Sequence, residues 1–310
     1  MTACAVVRPG LLTTVQDLGR WGYQDRGVPV AGPMDPFSHR LANRLVGNDE
    51  HAAALEITLL GPELRATGEL LCAVTGAVFE VFVGDRRVEC GQAFRVGSGT
   101  SLRFGRRLAG ARSTLAFRGG IDVPPVLGSR ATSLISSMGP FGGRALVAGD
   151  LVPIGRPPAK VPAEPPAVQP LRLPEGGARL RAIPGPHEAR FASVALERLF
   201  SSPFTVTTQS NRMGFRLEGP ELPYGEAADI LSDATPLGSL QVPGSGQPIL
   251  LMADRQTTGG YPKIATVIAA DVPVAGQLAP GDWIRFVPCS RADALDALNR
   301  LERRLAGQMS

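Results

Sequence analysis

Apolar and polar positions alternate with a period near two over much of the chain, in short runs. VTGAVFEVFVG (74–84), FRVGSGTSLRF (94–104) and RSTLAFRGGID (112–122) read as strands, with turns at Gly84, Gly97 and Gly99 and a Gly-Gly turn closing the third. Further strands are expected near 204–208, 248–253, 264–269 and 283–287. The signal in each is a β-branched and aromatic run bounded by turn residues. Helical spacing is rarer. Phe37, Leu41 and Leu45 recur at i, i+4, i+8 behind Asp35, a natural N-cap, and Pro36, whose missing N–H is no loss at the first helical position; Gly47 supplies the stop. A second helix is expected around Glu188 to Phe200. A third closes the chain, capped by Ser290, with Leu295, Leu298, Leu301 and Leu305 as its apolar stripe and Arg303 and Arg304 at the negative end of its dipole.

The pattern breaks at GRPPAKVPAEPPAVQP (155–170), where six prolines fix φ and remove donors. This predicts a first β domain over 1–155, a proline-rich linker over 156–170 and a second β domain with a C-terminal helix over 171–310. The fold expected is mostly β with a few helices, arranged as two barrels or sandwiches. An R-x-G-aromatic patch recurs as RWGY (20–23) and RMGF (212–215), a weak hint of internal duplication.

Composition narrows the function classes. Apolar residues at 44% can build real cores, and 19% charged is too low for a disordered chain. The net charge of +4 is small and scattered, and three tyrosines with two tryptophans make no stacking platform, so nucleic acid is not an expected partner. Cys4, Cys72, Cys90 and Cys289 contain no C-x-x-C pair and read as reduced thiols; His39, His51 and His187 form no ligand pattern, so no metal is expected. Arg8 interrupts the N-terminus before an apolar core forms, and no apolar run approaches the ~18 residues of a membrane span. The expectation is a cytoplasmic protein away from the membrane.

The densest candidate chemistry is DRQTTGGYPK (254–263), a polar loop between PILLMA (248–253) and IATVIAA (264–270). Grouped donors on a loop held by two buried strands mark a site. Asp254, Arg255 and Lys263 are its candidate catalytic residues, and Gln256, Thr257, Thr258, Gly259, Gly260 and Tyr261 its substrate-binding ones. Lys263 stands out because Lys160 is the only other lysine.

Other clusters are weaker. Gln16, Asp17 and Arg20 sit together near the N-terminus, where Asp17 and Arg20 can satisfy backbone groups and each other. Asn43 is on the first helix, and Gln241 precedes the polar loop. Glu56 lies in an apolar run, where a carboxylate is either paired or poised for proton transfer. GSRATS (128–133), with Arg130, and GGRAL (142–146) are glycine-rich turns able to receive an anion. There is no G-x-x-x-x-G-K-[ST] and no G-x-S-x-G, which argues against an ATP-binding P-loop and a serine-nucleophile elbow in this chain. Neither lysine is flanked by methionine, so no covalently attached biotin is expected.

TTVQDLGR (13–20), AGPMD (31–35), ANRLVGN (42–48), LEITLLGP (55–62), GSRATS, RMGFRLEGP (212–220), QLAPGD (277–282) and the stretch from GSLQVP to PKIATVI (238–268) occur in order. Together they resemble the family that contains the C subunit of 5-oxoprolinase (PxpC) and KipA, also described as allophanate hydrolase subunit 2 or biotin-dependent carboxyltransferase. The resemblance implies two cyclophilin-like β-barrel domains. It implies a KipI/PxpB-like partner and a LamB/YcsF-like PxpA partner, together an ATP-dependent 5-oxoprolinase that opens 5-oxo-L-proline to L-glutamate. It also admits a carboxyltransferase acting on a urea-like amide, with biotin carried by another protein, and a non-catalytic KipA-like regulatory module that binds a KipI-like partner. In the enzyme readings the loop supplies oxyanion-stabilising donors, Asp254 or Glu56 handles a proton, and Gln16, Asn43 and Gln241 orient a small amide or lactam substrate. One departure is SNRMG, with Asn211 where related sequences often carry Asp.

Overall fold

The computed structural model describes residues 2–159, 168–225 and 230–308. Lys160 and most of the proline-rich segment expected as a linker lie outside the described residues. The chain divides into two compact units: Met1–Arg20, Ala31–Leu173 and Arg303–Ser310 form the first, and Trp21–Val30 and Pro174–Glu302 the second.

The first unit holds β1 (Ala3–Arg8), β2 (Leu12–Gln16), α1 (Pro36–Leu45), β3 (Ala54–Thr58), β4 (Glu63–Ala66), β5 (Leu70–Val83), β6 (Arg86–Val88), β7 (Ala93–Val96), β8 (Ser101–Phe117), the single turn α2 (Pro140–Gly143) and β9 (Leu151–Pro153). Its sheet has nine strands, ordered β2-β3-β8-β4-β1-β9, with β5 pairing β8, β7 and β6. The long β5 and β8 form its spine, bulged between Gly76 and Val81, so β8 meets β3 at one end and β4 at the other. Leu55, Ile57, Leu64, Cys72, Val74, Leu102, Leu115 and Phe117 are among the fully buried side chains of its core.

α1 forms as its sequence dictates. Asp35 Oδ1 accepts the Ser38 N–H at 2.9 Å, Pro36 opens the helix, and Gly47 follows its end at φ 72°. Phe37 and Leu41 are buried.

The second unit contains β10 (Gly177–Pro184), α3 (Ser193–Ser201), β11 (Pro203–Val206), β12 (Gly214–Glu218), β13 (Asp233–Ala234), β14 (Ser239–Gln241), β15 (Ile249–Leu251), β16 (Thr258–Gly259), β17 (Lys263–Val267), the short α4 (Val272–Ala275), β18 (Trp283–Pro288) and the start of α5 (Arg291–Leu305). Seven strands close a barrel in the order β10-β17-β14-β15-β12-β11-β18, while β13 and β16 make a separate two-stranded sheet. Alternate residues of β18, Ile284 and Phe286, are buried, and Phe286 packs on Phe204 with ring centroids 5.9 Å apart. Burying each such ring is worth about 1.5–3 kcal/mol.

Two expectations are corrected. The helix expected from Glu188 to Phe200 is a 3-10 turn at Glu188–Arg190 followed by α3, because Phe191 takes an extended backbone (φ −95°, ψ 148°) and forms a bridge to Tyr224. In α5 Ala297 and Leu305 are buried and Ala294, Leu298 and Leu301 half-buried, whereas Leu295 is 59% exposed. Leu295 lies one position, about 100° around the helix, from Ala294 and therefore off that face. The Ser290 cap holds: its Oγ accepts the Asp293 N–H at 3.1 Å and donates to Asp293 Oδ2 at 2.7 Å.

Candidate active site

The polar loop bridges β15 and β17, and its residues divide by what holds them. Asp254 is 2% exposed, with both carboxylate oxygens gripped by Arg212. Arg255 donates to the carbonyls of Thr235 at 2.8 Å and Met252 at 3.4 Å, and burial lowers its pKa. These two charged side chains anchor the loop. Thr258 and Gly259 form β16 against Ala234 and Asp233, and the Thr257 carbonyl accepts the Thr235 N–H. Gly260 accepts the Ile230 N–H through its carbonyl, and Tyr261 is 46% exposed.

Lys263, the first residue of β17, is 1% exposed. Its Nζ lies 3.2 Å from Asp233 Oδ2, and among the described residues no group meets it with hydrogen-bond geometry. A buried ammonium with donors to spare is costly, which sets Lys263 apart from the tied-down charges of the loop. His187 clamps the same residue from the end of β10. Its Nδ1 accepts the Lys263 N–H at 3.2 Å, and its main-chain N–H donates to the Lys263 carbonyl at 3.3 Å. The Nε2 of His187 lies 3.8 Å from Asp233 Oδ2. Burial and the Lys263 charge lower the His187 pKa, so the ring stays neutral and able to accept at Nδ1. The Asp233 carboxyl is lowered, chiefly by Lys263.

Gly185 makes this clamp possible. A Cβ there would stand 2.3 Å from the Lys263 carbonyl oxygen and 2.8 Å from the Ala265 nitrogen. Only glycine lets the two strands approach so closely.

Beside the loop, Asn211, Arg216, Gln241, Ile249, Gln256 and Tyr261 line a pocket of about 190 Å³. Gln241 is 1% exposed and accepts a hydrogen bond at Oε1 from Gln256 Nε2, 3.0 Å away. Two side-chain amides thus face one cavity, a surface suited to reading an amide. Asn211 accepts the Met213 N–H at 2.8 Å through Oδ1. Aspartate has the same acceptor, so in this turn the departure from the family pattern keeps the bond. A second pocket, of about 340 Å³, is bounded by Trp21, Val30, Pro236, Leu237, Arg255 and Gln256.

The candidates in the first unit are held by hydrogen bonds within that unit. Glu56 Oε2 accepts the Met34 N–H at 2.7 Å, the paired alternative of the two its sequence allowed. Gln16 donates to Thr14 Oγ1 and the Thr132 carbonyl, while its buried Oε1 has no partner among the described residues. Asn43 donates to the Ala52 carbonyl at 2.8 Å and accepts from Asn48. The GSRATS turn does receive an anion, and the anion is Asp17, which accepts from Ser129 Oγ and the Arg130 N–H. Arg130 Nε donates to the Val123 carbonyl and its guanidinium lies 3.5 Å from Asp122. Arg144 of the other glycine-rich turn is paired with Asp150 at 2.6 and 2.7 Å. The arginines of the repeated R-x-G-aromatic patch have different duties: Arg20 holds the carbonyls of Val126 and Ala131, Arg212 a carboxylate.

Sequence reasoning missed His187 and Asp233. No spacing rule links them to Lys263, since β10–β17 pairing brings His187 across 76 positions. No helix among the described residues is long and apolar enough to cross a membrane. No group of three or more His, Cys, Asp or Glu among them is arranged to hold a metal ion.

Known proteins share this fold and sequence. The chain is 42% identical to the C subunit of 5-oxoprolinase from Escherichia coli K12 over 96% of this chain and 95% of that protein. The protein of the same name from Haemophilus influenzae is 36% identical over 91% and 89%. The crystal structure of Kluyveromyces lactis urea amidolyase superposes with a TM-score of 0.93 at 34% identity, covering 99% of this chain and 20% of that one. Residues 26–288 match the model of the carboxyltransferase domain, subdomain A and B, and the chain belongs to that family.

Proposed function

We propose that the chain is a subunit of an ATP-dependent 5-oxoprolinase, working with KipI/PxpB-like and LamB/YcsF (PxpA)-like subunits in the cytoplasm. The observation that carries this reading is the buried Lys263 ammonium, ion-paired to one half-exposed carboxylate at the end of a loop whose other charges are tied down. Coverage supports it: the match to the Escherichia coli protein runs nearly end to end in both chains, whereas the chain spans about a fifth of the urea amidolyase.

Opening the lactam needs help because its carbonyl is a poor electrophile. In the proposed sequence ATP transfers its terminal phosphoryl group to the lactam oxygen. Water adds to the carbon, and the C–N bond breaks with its electron pair leaving on nitrogen, which takes a proton. A second water releases the phosphate and leaves the carboxylate of L-glutamate. ATP is supplied to the complex as a whole, and no P-loop sequence occurs in this chain. In this chain Lys263 faces the negative charge of the substrate, and the Gln241–Gln256 pair orients the amide. Arg212 holds both oxygens of Asp254, and Glu56 accepts the Met34 main-chain N–H.

A second reading, carboxyl transfer to a urea-like amide, draws on the family model and the amidolyase likeness. Biotin, which holds an activated carboxyl group when loaded, would have to arrive on another protein.

The test is glutamate formation from 5-oxoproline and ATP by the chain co-purified with its partner subunits, with and without avidin and bicarbonate. Glutamate made in the presence of avidin without bicarbonate is the expected result. Avidin-sensitive ATP turnover on urea would transfer the assignment to carboxyl transfer. Silence in both assays, with the partner still bound, would leave the regulatory module.

A further inference from the structure

Asp233 is placed unlike any other carboxylate around the loop. It sits on β13, outside the barrel, in a two-residue ladder with β16. Its side chain is 51% exposed, and Leu231 two positions earlier is 94% exposed. Oδ1 accepts the N–H of the adjacent Ala234 at 2.7 Å. Oδ2 is the atom on which the deeper groups converge: Lys263 Nζ at 3.2 Å and His187 Nε2 at 3.8 Å. The ammonium belongs to a barrel strand and is 1% exposed; the carboxylate belongs to the surface.

This is an anion seat of two nitrogen atoms, filled by the protein's own carboxylate. Asp17 shows the contrasting case. That carboxylate is 9% exposed and takes hydrogen bonds from Gly19, Ser129 and Arg130, so it is a fixed part of its turn. Among the described residues Asp233 meets the Ala234 N–H, one ammonium and one more distant ring nitrogen, and its side chain is half exposed. An ion pair with an exposed partner is weak and exchangeable, while the buried ammonium always needs a counter-charge.

Building on the reading of Lys263 as the charge-facing residue, we propose that the Lys263–His187 seat binds the carboxylate of an amino-acid-derived lactam, and that Asp233 holds the seat until that carboxylate displaces it. The seat then selects carboxylate-bearing lactams over neutral ones. His187 is a positioning residue: Nδ1 fixes the Lys263 main chain and Nε2–H turns toward the anion. Asp233 is a competitor for the seat and touches no reacting atom.

The experiment titrates the full chain, as wild type, Asp233→Asn and Asp233→Asn/Lys263→Met, with acetate, inorganic phosphate, 5-oxo-L-proline and 2-pyrrolidone. Calorimetry reads affinity, and circular dichroism checks the fold. Asp233→Asn should bind acetate and 5-oxo-L-proline at least tenfold tighter than wild type, with 2-pyrrolidone unchanged and the gain lost in the double variant. In the assembled complex the same substitution should lower KM for 5-oxoproline. Equal affinities in wild type and Asp233→Asn would overturn the proposal, as would an equal gain for 2-pyrrolidone. A larger gain for phosphate than for acetate would overturn the carboxylate assignment. If Asp233→Asn fails to fold, Asp233→Ser is read by the same criteria. Because the titration needs no turnover, its failure is distinct from a complex that makes no glutamate.

Discussion

Arg212 and Asp254 form a two-bonded ion pair, at 2.9 and 3.0 Å, with side chains only 5% and 1% exposed. Arg212 precedes β12, and Asp254 follows β15, which pairs with β12, so one ion pair ties the start of the polar loop to the barrel. Asp254→Ala removes both of these bonds from a buried guanidinium and should cost about 3–5 kcal/mol. Urea unfolding of the full chain measures it. A loss below about 1 kcal/mol would show that Asp254 does not anchor the loop.

Lys263 should behave in the opposite way. Replacing it by Met removes a buried charge and leaves Asp233 in solvent, so stability should change by no more than about 1 kcal/mol. The kcat/KM of the assembled complex should fall by ~10²–10³, the usual loss when one partner of a buried charge pair is removed. An unchanged kcat/KM in a folded, partner-bound Lys263→Met variant would remove Lys263 from the chemistry.

Gly185→Ala tests the close approach that sets the clamp. Its Cβ would meet main-chain atoms of Lys263 and Ala265, which cannot rotate away. The strain should cost roughly 1–3 kcal/mol and spread β10 from β17. Thermal unfolding gives the loss, and amide exchange at Lys263 should rise as its bond to His187 opens.

His39 gives the first unit a pH dependence. The ring is buried, and burial lowers its pKa to about 4, against the smaller raising effect of Asp17. The folded pKa lies below the unfolded value near 6.5, so between them the unfolded chain holds more protons. Stability is therefore full above about pH 6.5 and falls as pH drops toward about 4, by on the order of 3 kcal/mol. His39→Gln, which cannot take up the proton, should flatten the slope in thermal scans at pH 7, 6 and 5. An equally steep slope would assign it to other groups.

Where the physics is local, the sequence by itself was enough. Asp35 and Pro36 begin α1 and Gly47 ends it because a cap, a fixed φ and a left-handed turn act within a few residues. The strands around 74–84 and 283–287 follow from alternation, and the mostly β fold from many short runs between turns. The polar loop was legible because its flanks are apolar strands and its own residues are not.

Pairing across distance was decided only by the tertiary structure. That Asp254 is spent on Arg212, Glu56 on the Met34 main chain and the GSRATS turn on Asp17 depends on which strands lie side by side. Local propensity carries no such information. The Lys263 seat shows this most plainly: His187 is brought to it by β10–β17 pairing and Asp233 by the β13–β16 ladder. Strand register, set by the burial of whole faces, decides which distant charges meet, and so which member of a polar run is left free for chemistry.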